Sequence, residues 1–356
     1  MLPTPKGAFA LAAGAALLAV LPFMAHTYYI ELATTALVAA MLALSLQLLV
    51  GCTGLVSLGH GAFYGLAAYT VYLVTPENAG LSILITLPLA VLTAGGAALL
   101  VGALSLRTRG FFFLMVTLAF GQMIFFVFHD TKLGGGTDGA YLARPVLSFL
   151  GLELTYPRRQ RPVYLYYVAL VQLVAMYLFL AFLLRSLFGR VLEGIRVNEH
   201  RMRALGYETY RYKLAAFVIA GGLAGVAGHM WAMHRAFVNP EIVGWHRSAE
   251  ALLMILLGGL QSLHGPILGA LAFTGLGELP QLIGDAKPFA RFLASIGLED
   301  LGLAIQALAE RKLLLEGLVI LAVVLALPRG LASLRWPRFI RPAYGSRPAR
   351  REQVRS

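Results

Sequence analysis

Long apolar runs recur along the whole chain, and charged residues are concentrated in the shorter segments between them. A run of about 18 or more apolar residues is long enough to cross a bilayer as a helix. We predict spans near residues 8–26, 30–50, 60–76, 81–104, 111–128, 163–184, 213–236, 248–263, 265–283 and 313–328. The strands of a membrane barrel would alternate polar and apolar residues, so continuous runs predict helices instead. The predicted fold is an all-α integral membrane protein, a polytopic bundle of about 8–10 transmembrane helices, some broken by glycine.

The composition excludes a soluble globular protein. Charged residues make up 13% of the chain, against roughly 25% in soluble domains. Cys52 is the only cysteine, which excludes an internal disulfide and a cysteine-based metal cluster. The first apolar run follows Lys6 as in a signal sequence. It has no clear cleavage site and another span follows at once, so we predict a retained helix.

Basic residues indicate which segments face the cytoplasm. The formal net charge is +12, and cytoplasmic loops of membrane proteins carry an excess of Lys and Arg. This rule places the N-terminus, the 105–110 turn, the 185–213 loop and the tail after Pro328 in the cytoplasm. The three arginines within 158–161 lie on the predicted outer side, but long loops translocate largely regardless of charge.

These assignments divide the chain into a transmembrane domain at 1–335 and a basic cytoplasmic tail at 336–356. Within the domain, 284–312 is more polar and is predicted to be an external excursion between spans. The tail is typical of a disordered anchor that lies against anionic lipid headgroups. Retention of basic loops accounts for the net charge, so no nucleic-acid partner is expected.

Two similar turns interrupt apolar segments. The first contains Gly54, Ser57, His60 and Gly61, and the second contains Gly258, Gly259, Ser262 and His264. Paired glycine-interrupted segments are typical of transport sites, because a broken helix exposes backbone dipoles to a polar ligand. The similarity is either an internal repeat or a coincidence of Gly- and Leu-rich sequence. The turns either line a translocation path or let helices cross closely. His60 and His264 likewise either line that path or are hydrogen-bonded packing residues.

The 185–213 loop is too long for a tight connection and too charged to span. Leu187, Val191, Leu192 and Ile195 recur at helical spacing, with arginines on much of the opposite face. Such a helix either lies on the membrane surface or couples to another subunit. In the second case, residues 205–207 would supply an apolar contact and a turn.

Motifs of enzymes are missing from the chain. It has no Gly-x-x-x-x-Gly-Lys-Ser/Thr phosphate loop and no His-Glu-x-x-His zinc motif. Ser57 is not in the Gly-x-Ser-x-Gly setting of a hydrolase nucleophile. We therefore predict neither an enzyme nor a cofactor bound by this chain.

The most specific motif of the chain lies in and after the charged loop. It is the run Phe188-Gly-Arg190, Ile195-Arg-x-Asn-Glu199-x-Arg201, Ala-Leu-Gly206-Tyr207 and Tyr212-Lys213-Leu-x-Ala-Phe217. Other motifs are Gly54-Leu-x-Ser57-Leu-Gly-His60-Gly61, Gly135-Gly-Thr-Asp138-Gly139, Pro240-Glu241, Ser248-x-Glu250, Gly258-Gly-Leu-x-Ser262, Gly265-Pro266 and Pro328-Arg-Gly330. These motifs resemble the LivM-type permeases, the membrane subunits of ABC importers for branched-chain amino acids. The resemblance covers most of residues 30–335.

The resemblance implies a permease subunit in the bacterial inner membrane. It implies a LivH-like second permease, two cytoplasmic ATPase subunits that bind ATP and Mg, and a periplasmic or extracellular binding protein that delivers the substrate. Residues implied in coupling to the ATPase are Gly189, Arg190, Arg196, Asn198, Glu199, Arg201, Leu205, Gly206 and Tyr207. Urea or short amides are alternative substrates. A passive channel and a membrane scaffold are the other classes, and the 185–213 loop and the broken spans argue against them.

Overall fold

The computed structural model describes residues 14, 16–23, 26–75, 82–142, 148–149, 152–153, 160–260, 262–284, 317, 321 and 330–331. Residues 16–23 are helical. The named helices are α1 Thr27–Cys52, α2 His60–Val74, α3 Ile83–Ser105, α4 Phe111–Asp130, α5 Arg161–Arg185, α6 Leu187–Val197, α7 Glu199–Ala204, α8 Thr209–Arg235, α9 Trp245–Gly258 and α10 Gly265–Gly284. The span predicted at 313–328, the excursion at 284–312 and the tail at 336–356 lie almost wholly outside the described residues.

Five of these helices are long and apolar enough to cross a membrane: α1, α3, α4, α5 and α8. Each contains nearly all of a span predicted from the apolar runs, with ends that differ by a few residues. The prediction of a polytopic, all-α membrane protein is therefore confirmed. The sequence pattern was sufficient because a spanning helix must keep its apolar run unbroken over about 30 Å of hydrocarbon.

The centre of the bundle is α1, in whose apolar stretch 83% of residues are buried, followed by α8 with 61%. In α3, α4 and α5 the same share is only 22–28%, so these helices form the periphery. Small residues allow the close packing of α8. A Cβ atom at Gly221 would lie 2.3 Å from Cβ of Ala98, and one at Gly228 would lie 1.9 Å from the carbonyl oxygen of Tyr64. Small residues three or four positions apart are the usual means by which membrane helices approach each other.

Two of the predicted spans, near 60–76 and 248–263, correspond to helices that are too short to cross the bilayer. The 15 residues of α2 and the 14 of α9 extend roughly 20 Å, well short of the hydrocarbon thickness. The predicted span at 248–263 is wrong at its end, since α9 stops at Gly258. Gly259 follows with φ of 112°, a backbone conformation that glycine adopts readily and other residues do not.

Short strands stabilise the loops that join helices. Strand β1, Ala140–Tyr141, pairs antiparallel with β4, Phe237–Val238, and β2, Ser148–Phe149, pairs with β3, Leu152–Glu153. The first pair connects the loop after α4 to the loop after α8. Both loops lie on the predicted outer side of the membrane.

Candidate functional site

Both glycine turns are anchored to the central helix α1. The Nε2 atom of His60 lies 2.8 Å from Oγ of Ser45. Two residues further along α1, the side-chain amide of Gln47 donates to the carbonyl oxygens of Leu260 at 2.7 Å and Ser262 at 3.4 Å. Residues two apart on a helix point about 200° away from each other. The two turns therefore lie at similar depth but on opposite sides of α1.

The first turn is packed on several sides. Gly54 has φ of 74°. A Cβ atom at Gly59 would lie 2.3 Å from the carbonyl oxygen of Thr117, and one at Gly61 would lie 2.9 Å from that of Gly244. Oγ of Ser57 and Nδ1 of His60 are buried and have no hydrogen-bond partner among the described residues. The turn thus combines close helix packing with buried polar atoms that lack a partner in the described part of the chain.

The second turn is equally tight. A Cβ atom at Gly258 would lie 1.8 Å from the carbonyl oxygen of Gly265, which brings the end of α9 against the start of α10. Oγ of Ser262 lies 3.4 Å from the carbonyl oxygen of Gly259, to which it donates. The half-buried His264 has an Nδ1 atom with no partner in the described part of the chain. Glycine is required here because two backbone segments touch.

An ion pair lies beside the first turn. Nη1 of Arg247 donates to Oε2 of Glu250 at 2.9 Å, and both side chains are about two-thirds buried. The guanidinium carbon of Arg247 lies 5.2 Å from the centre of the Trp231 ring. The sequence analysis did not single out Arg247. The available signal was its spacing of three residues from Glu250 at the start of an apolar run, which puts both side chains on one helix face.

The 185–213 loop folds into two short helices, α6 and α7, instead of one. Its charged centre is Glu199, which accepts hydrogen bonds from Nζ of Lys213 at 2.8 Å, from Oγ1 of Thr209 at 3.0 Å and from Arg203. Burial acts to raise the pKa of Glu199, but the bonds from its three donors outweigh burial and lower the pKa to about 2. The carboxylate is therefore charged at neutral pH, and it ties α7 to the start of α8.

The tip of the loop is exposed. Asn198 caps α7 by accepting from the backbone N–H of Arg201 at 2.9 Å. Gly206, with φ of 88°, ends the helix and has open space around it. Leu205 beside it is 66% exposed and Tyr207 is 39% exposed. A rigid turn thus presents an apolar side chain away from the bundle.

A family model described as the permease component of the branched-chain amino acid transport system matches residues 28–324. The chain belongs to this family of permeases. The matched range includes α1 to α10, both glycine turns and the whole 185–213 loop.

Two curated relatives of this permease are the proteins named "High-affinity branched-chain amino acid transport system permease protein LivM" of Escherichia coli and Salmonella typhimurium. Each is 34% identical over 278 residues, which is 72% of this chain and 65% of the relative. The chain thus spans just under two thirds of their length. A protein named "Probable branched-chain amino acid transport permease protein LivM" of Methanocaldococcus jannaschii is 30% identical over 101 residues, 28% of this chain and 29% of its own. No solved structure matches the permease.

The loop of this permease is in direct contact with the bundle core. The guanidinium of Arg196, in α6, donates to the carbonyl oxygen of Gly51 in the last turn of α1. A Cβ atom at Gly54 would lie 3.6 Å from Cγ of Arg196. At the corner between α5 and α6, a Cβ atom at Gly189 would lie 2.5 Å from the backbone of Leu184. The side chains of Arg190 and Arg201 are exposed.

In the part of the permease that the structure describes, no group of three or more His, Cys, Asp or Glu side chains is arranged to hold a metal ion. The buried His229 contacts another helix: its Nε2 lies 3.0 Å from Oγ1 of Thr86. This pair connects α8 to α3.

Proposed function

We propose that the chain is the membrane-spanning permease subunit of an ATP-driven importer, and that it translocates branched-chain amino acids delivered by an external binding protein. Membership of the permease family over residues 28–324 is the observation that carries this proposal. The names of the two 34% identical relatives, which describe branched-chain amino acid transport, support the substrate class. The activity belongs to a complex in the bacterial inner membrane.

We propose that the loop formed by α6 and α7 docks into a cytoplasmic ATPase subunit. Its exposed Leu205 and Tyr207 supply an apolar contact, and the Glu199 network gives that contact a rigid base. The bond from Arg196 to Gly51 connects the loop to α1. A movement of the loop thereby reaches the helix on which both glycine turns are anchored, and shifts the permease between inward-open and outward-open states.

We propose the remaining components from the family to which the chain belongs. Two ATPase subunits bind ATP and Mg, and a second permease of the LivH type completes the membrane part. The glycine turns border the translocation path in this proposal, because backbone groups outside regular helix are tolerated at membrane depth only inside protein or beside water. The first turn carries two polar atoms, Oγ of Ser57 and Nδ1 of His60, that have no hydrogen-bond partner among the described residues.

Reconstitution tests this function. The permease is co-purified with its sister permease and ATPases, placed in proteoliposomes, and supplied with the binding protein and ATP. We expect uptake of leucine, isoleucine and valine that requires ATP and the binding protein. Uptake of urea or short amides without uptake of leucine would show that these compounds, and not branched-chain amino acids, are the substrates. Uptake that does not need ATP would identify a passive channel and overturn the proposal.

A further inference from the structure

The ion pair between Arg247 and Glu250 lies deep inside the membrane domain. Two residues of α1, Thr35 and Ser45, mark the levels between which the pair lies. Oγ1 of Thr35 lies 3.3 Å from Nε2 of His234, and Ser45 contacts His60. Both positions are about 10 Å or more from the ends of the 26-residue α1.

Arg247 lies between these two levels. A Cβ atom at Gly61, next to His60, would be 3.0 Å from Cβ of Arg247. The guanidinium extends to Trp231, one turn before His234. The charged groups are therefore near the middle of the central helix, where the hydrocarbon of the bilayer lies outside.

A charged pair at this depth does not face lipid. Charged side chains in spanning regions almost always face a bundle interior or a water-filled cavity, and they mark substrate pathways. The side chains of Arg247 and Glu250 keep 30% and 36% of their surface open in the isolated chain. Their open side therefore faces water in a cavity or the second permease. Among the described residues, the guanidinium of Arg247 donates to Glu250 through Nη1 alone, so its other N–H donors remain available there.

We propose that Arg247 and Glu250 form a binding station for the zwitterionic head group of an amino acid on the translocation path. This inference rests on the proposed transport function. The guanidinium of Arg247 binds the α-carboxylate, for which its planar fork is suited, and the carboxylate of Glu250 binds the α-ammonium. The amino acid enters between two charges that otherwise neutralise each other, so every charge has a partner both before and after it passes.

The surroundings hold the station in position. Oγ of Ser248 accepts a hydrogen bond of 2.7 Å from the backbone N–H of Gly61, which fixes the first turn of α9 on α2. The ring of Trp231 lies against the guanidinium and stabilises it by a cation–π contact. The amino acid's aliphatic side chain needs only apolar walls, so the station selects for the zwitterion and leaves the choice of side chain to other parts of the importer.

The test uses the reconstituted complex and the double variant Arg247→Gln/Glu250→Gln. Removing one partner alone would leave an unpaired charge at membrane depth and impair folding, whereas the double variant leaves none. The matched control is His129→Gln/Asp130→Asn, which removes an exposed polar pair at the end of α4, away from both the station and the loop that docks into the ATPase.

We expect the double variant to assemble and to hydrolyse ATP like the wild type when liganded binding protein is added. Leucine imported per ATP hydrolysed falls by about tenfold or more, in line with the loss of both buried charge contacts to the substrate. The control variant keeps the wild-type ratio. Normal import by the double variant overturns the station, and so does failure to assemble, because the pair would then be structural. Failure of the transport function itself is recognised separately, as absence of leucine uptake by the wild type.

Discussion

The side-chain amide of Gln47, in α1, donates a hydrogen bond of 2.7 Å to the carbonyl oxygen of Leu260, 213 residues further along the chain. This bond satisfies a carbonyl that the glycine turn after α9 leaves outside regular helix. It also joins the turn to α1, whose last turn contacts the 185–213 loop through the bond between Gly51 and Arg196. These two hydrogen bonds thus connect the 185–213 loop, α1, the second glycine turn and α9.

Replacing Gln47 by Leu should destabilise the complex. The carbonyl of Leu260 would lose its donor in a region with little water, at a cost of about 1–3 kcal/mol. Thermal unfolding of the purified complex in detergent measures this as a lower midpoint. Gln122→Leu, on the peripheral helix α4, is the matched control and should change the midpoint little. Equal midpoints for both variants would contradict the structural role of Gln47.

A larger side chain at Gly61 should disturb helix packing. Even a Cβ atom there would lie 2.9 Å from the carbonyl oxygen of Gly244, so Gly61→Leu should cost roughly 1–3 kcal/mol or more and reduce recovery of the assembled complex. Gly96→Leu is the control, because Gly96 lies on the exposed face of α3 and a Cβ atom there meets no atom within 4 Å. This variant should assemble normally. If Gly61→Leu instead assembles fully but fails to transport, packing is not its main role, and the proposal that the first turn borders the path gains support.

Truncation of Leu205 to Ala should uncouple ATP hydrolysis from uptake. Leu205 is exposed at the tip of a rigid loop, and an apolar side chain in that position acts as an anchor when it is buried in a partner. We expect leucine uptake to fall by about tenfold while ATP hydrolysis and membrane insertion persist. Leu92→Ala is the control, because Leu92 is similarly exposed, at 70%, on the peripheral helix α3. Wild-type coupling in the Leu205 variant would exclude this docking contact.

Neutralising Glu199 should loosen α7. A spin label at position 200, introduced as His200→Cys, reports the mobility of this helix, and the buried Cys52 contributes little labelling. Glu199→Gln leaves the buried Lys213 without its carboxylate, so the label should become more mobile. Glu208→Gln, in the exposed pair with Arg211, should leave the spectrum unchanged.

The same label should show how the Glu199 network depends on pH. The folded pKa of Glu199, about 2, lies below the ordinary value of 4.5, so the carboxylate stabilises the fold fully above about pH 4.5. This contribution is lost as the pH falls from 4.5 towards 2. The spectrum should therefore remain constant from neutral pH down to about pH 4.5. A change centred near neutrality would show that another group controls the loop.

Labelling from the outside tests the orientation. Thr137, exposed between α4 and β1, should react with an impermeant thiol reagent after substitution by Cys. Arg203→Cys, in α7, should react only after the membrane is permeabilised. Reaction of position 203 in intact cells would reverse the orientation derived from the basic residues.

Much of this architecture follows from the sequence alone. Continuous apolar runs determine helices and exclude a barrel, because every backbone group in lipid must be paired within its own segment. The exposed end of α7 at Gly206 follows from a glycine after a charged, amphipathic segment, since glycine readily adopts the positive φ that ends the helix. The sequence pattern did not predict that the 185–213 loop divides into α6 and α7, because this division depends on the cap from Asn198 and on the contact of Lys213 with Glu199.

The tertiary structure decided which helix is central and which polar residues meet. In a membrane, lipid and protein interior are equally apolar, so the apolar runs of α1 and α3 look alike although one is buried and the other faces outwards. Gln47 and Leu260, or Arg247 and Trp231, meet only once the helices have packed. Local periodicity determines where a helix forms, but contacts between distant segments depend on which small residues allow close approach, and that is a property of the assembled bundle.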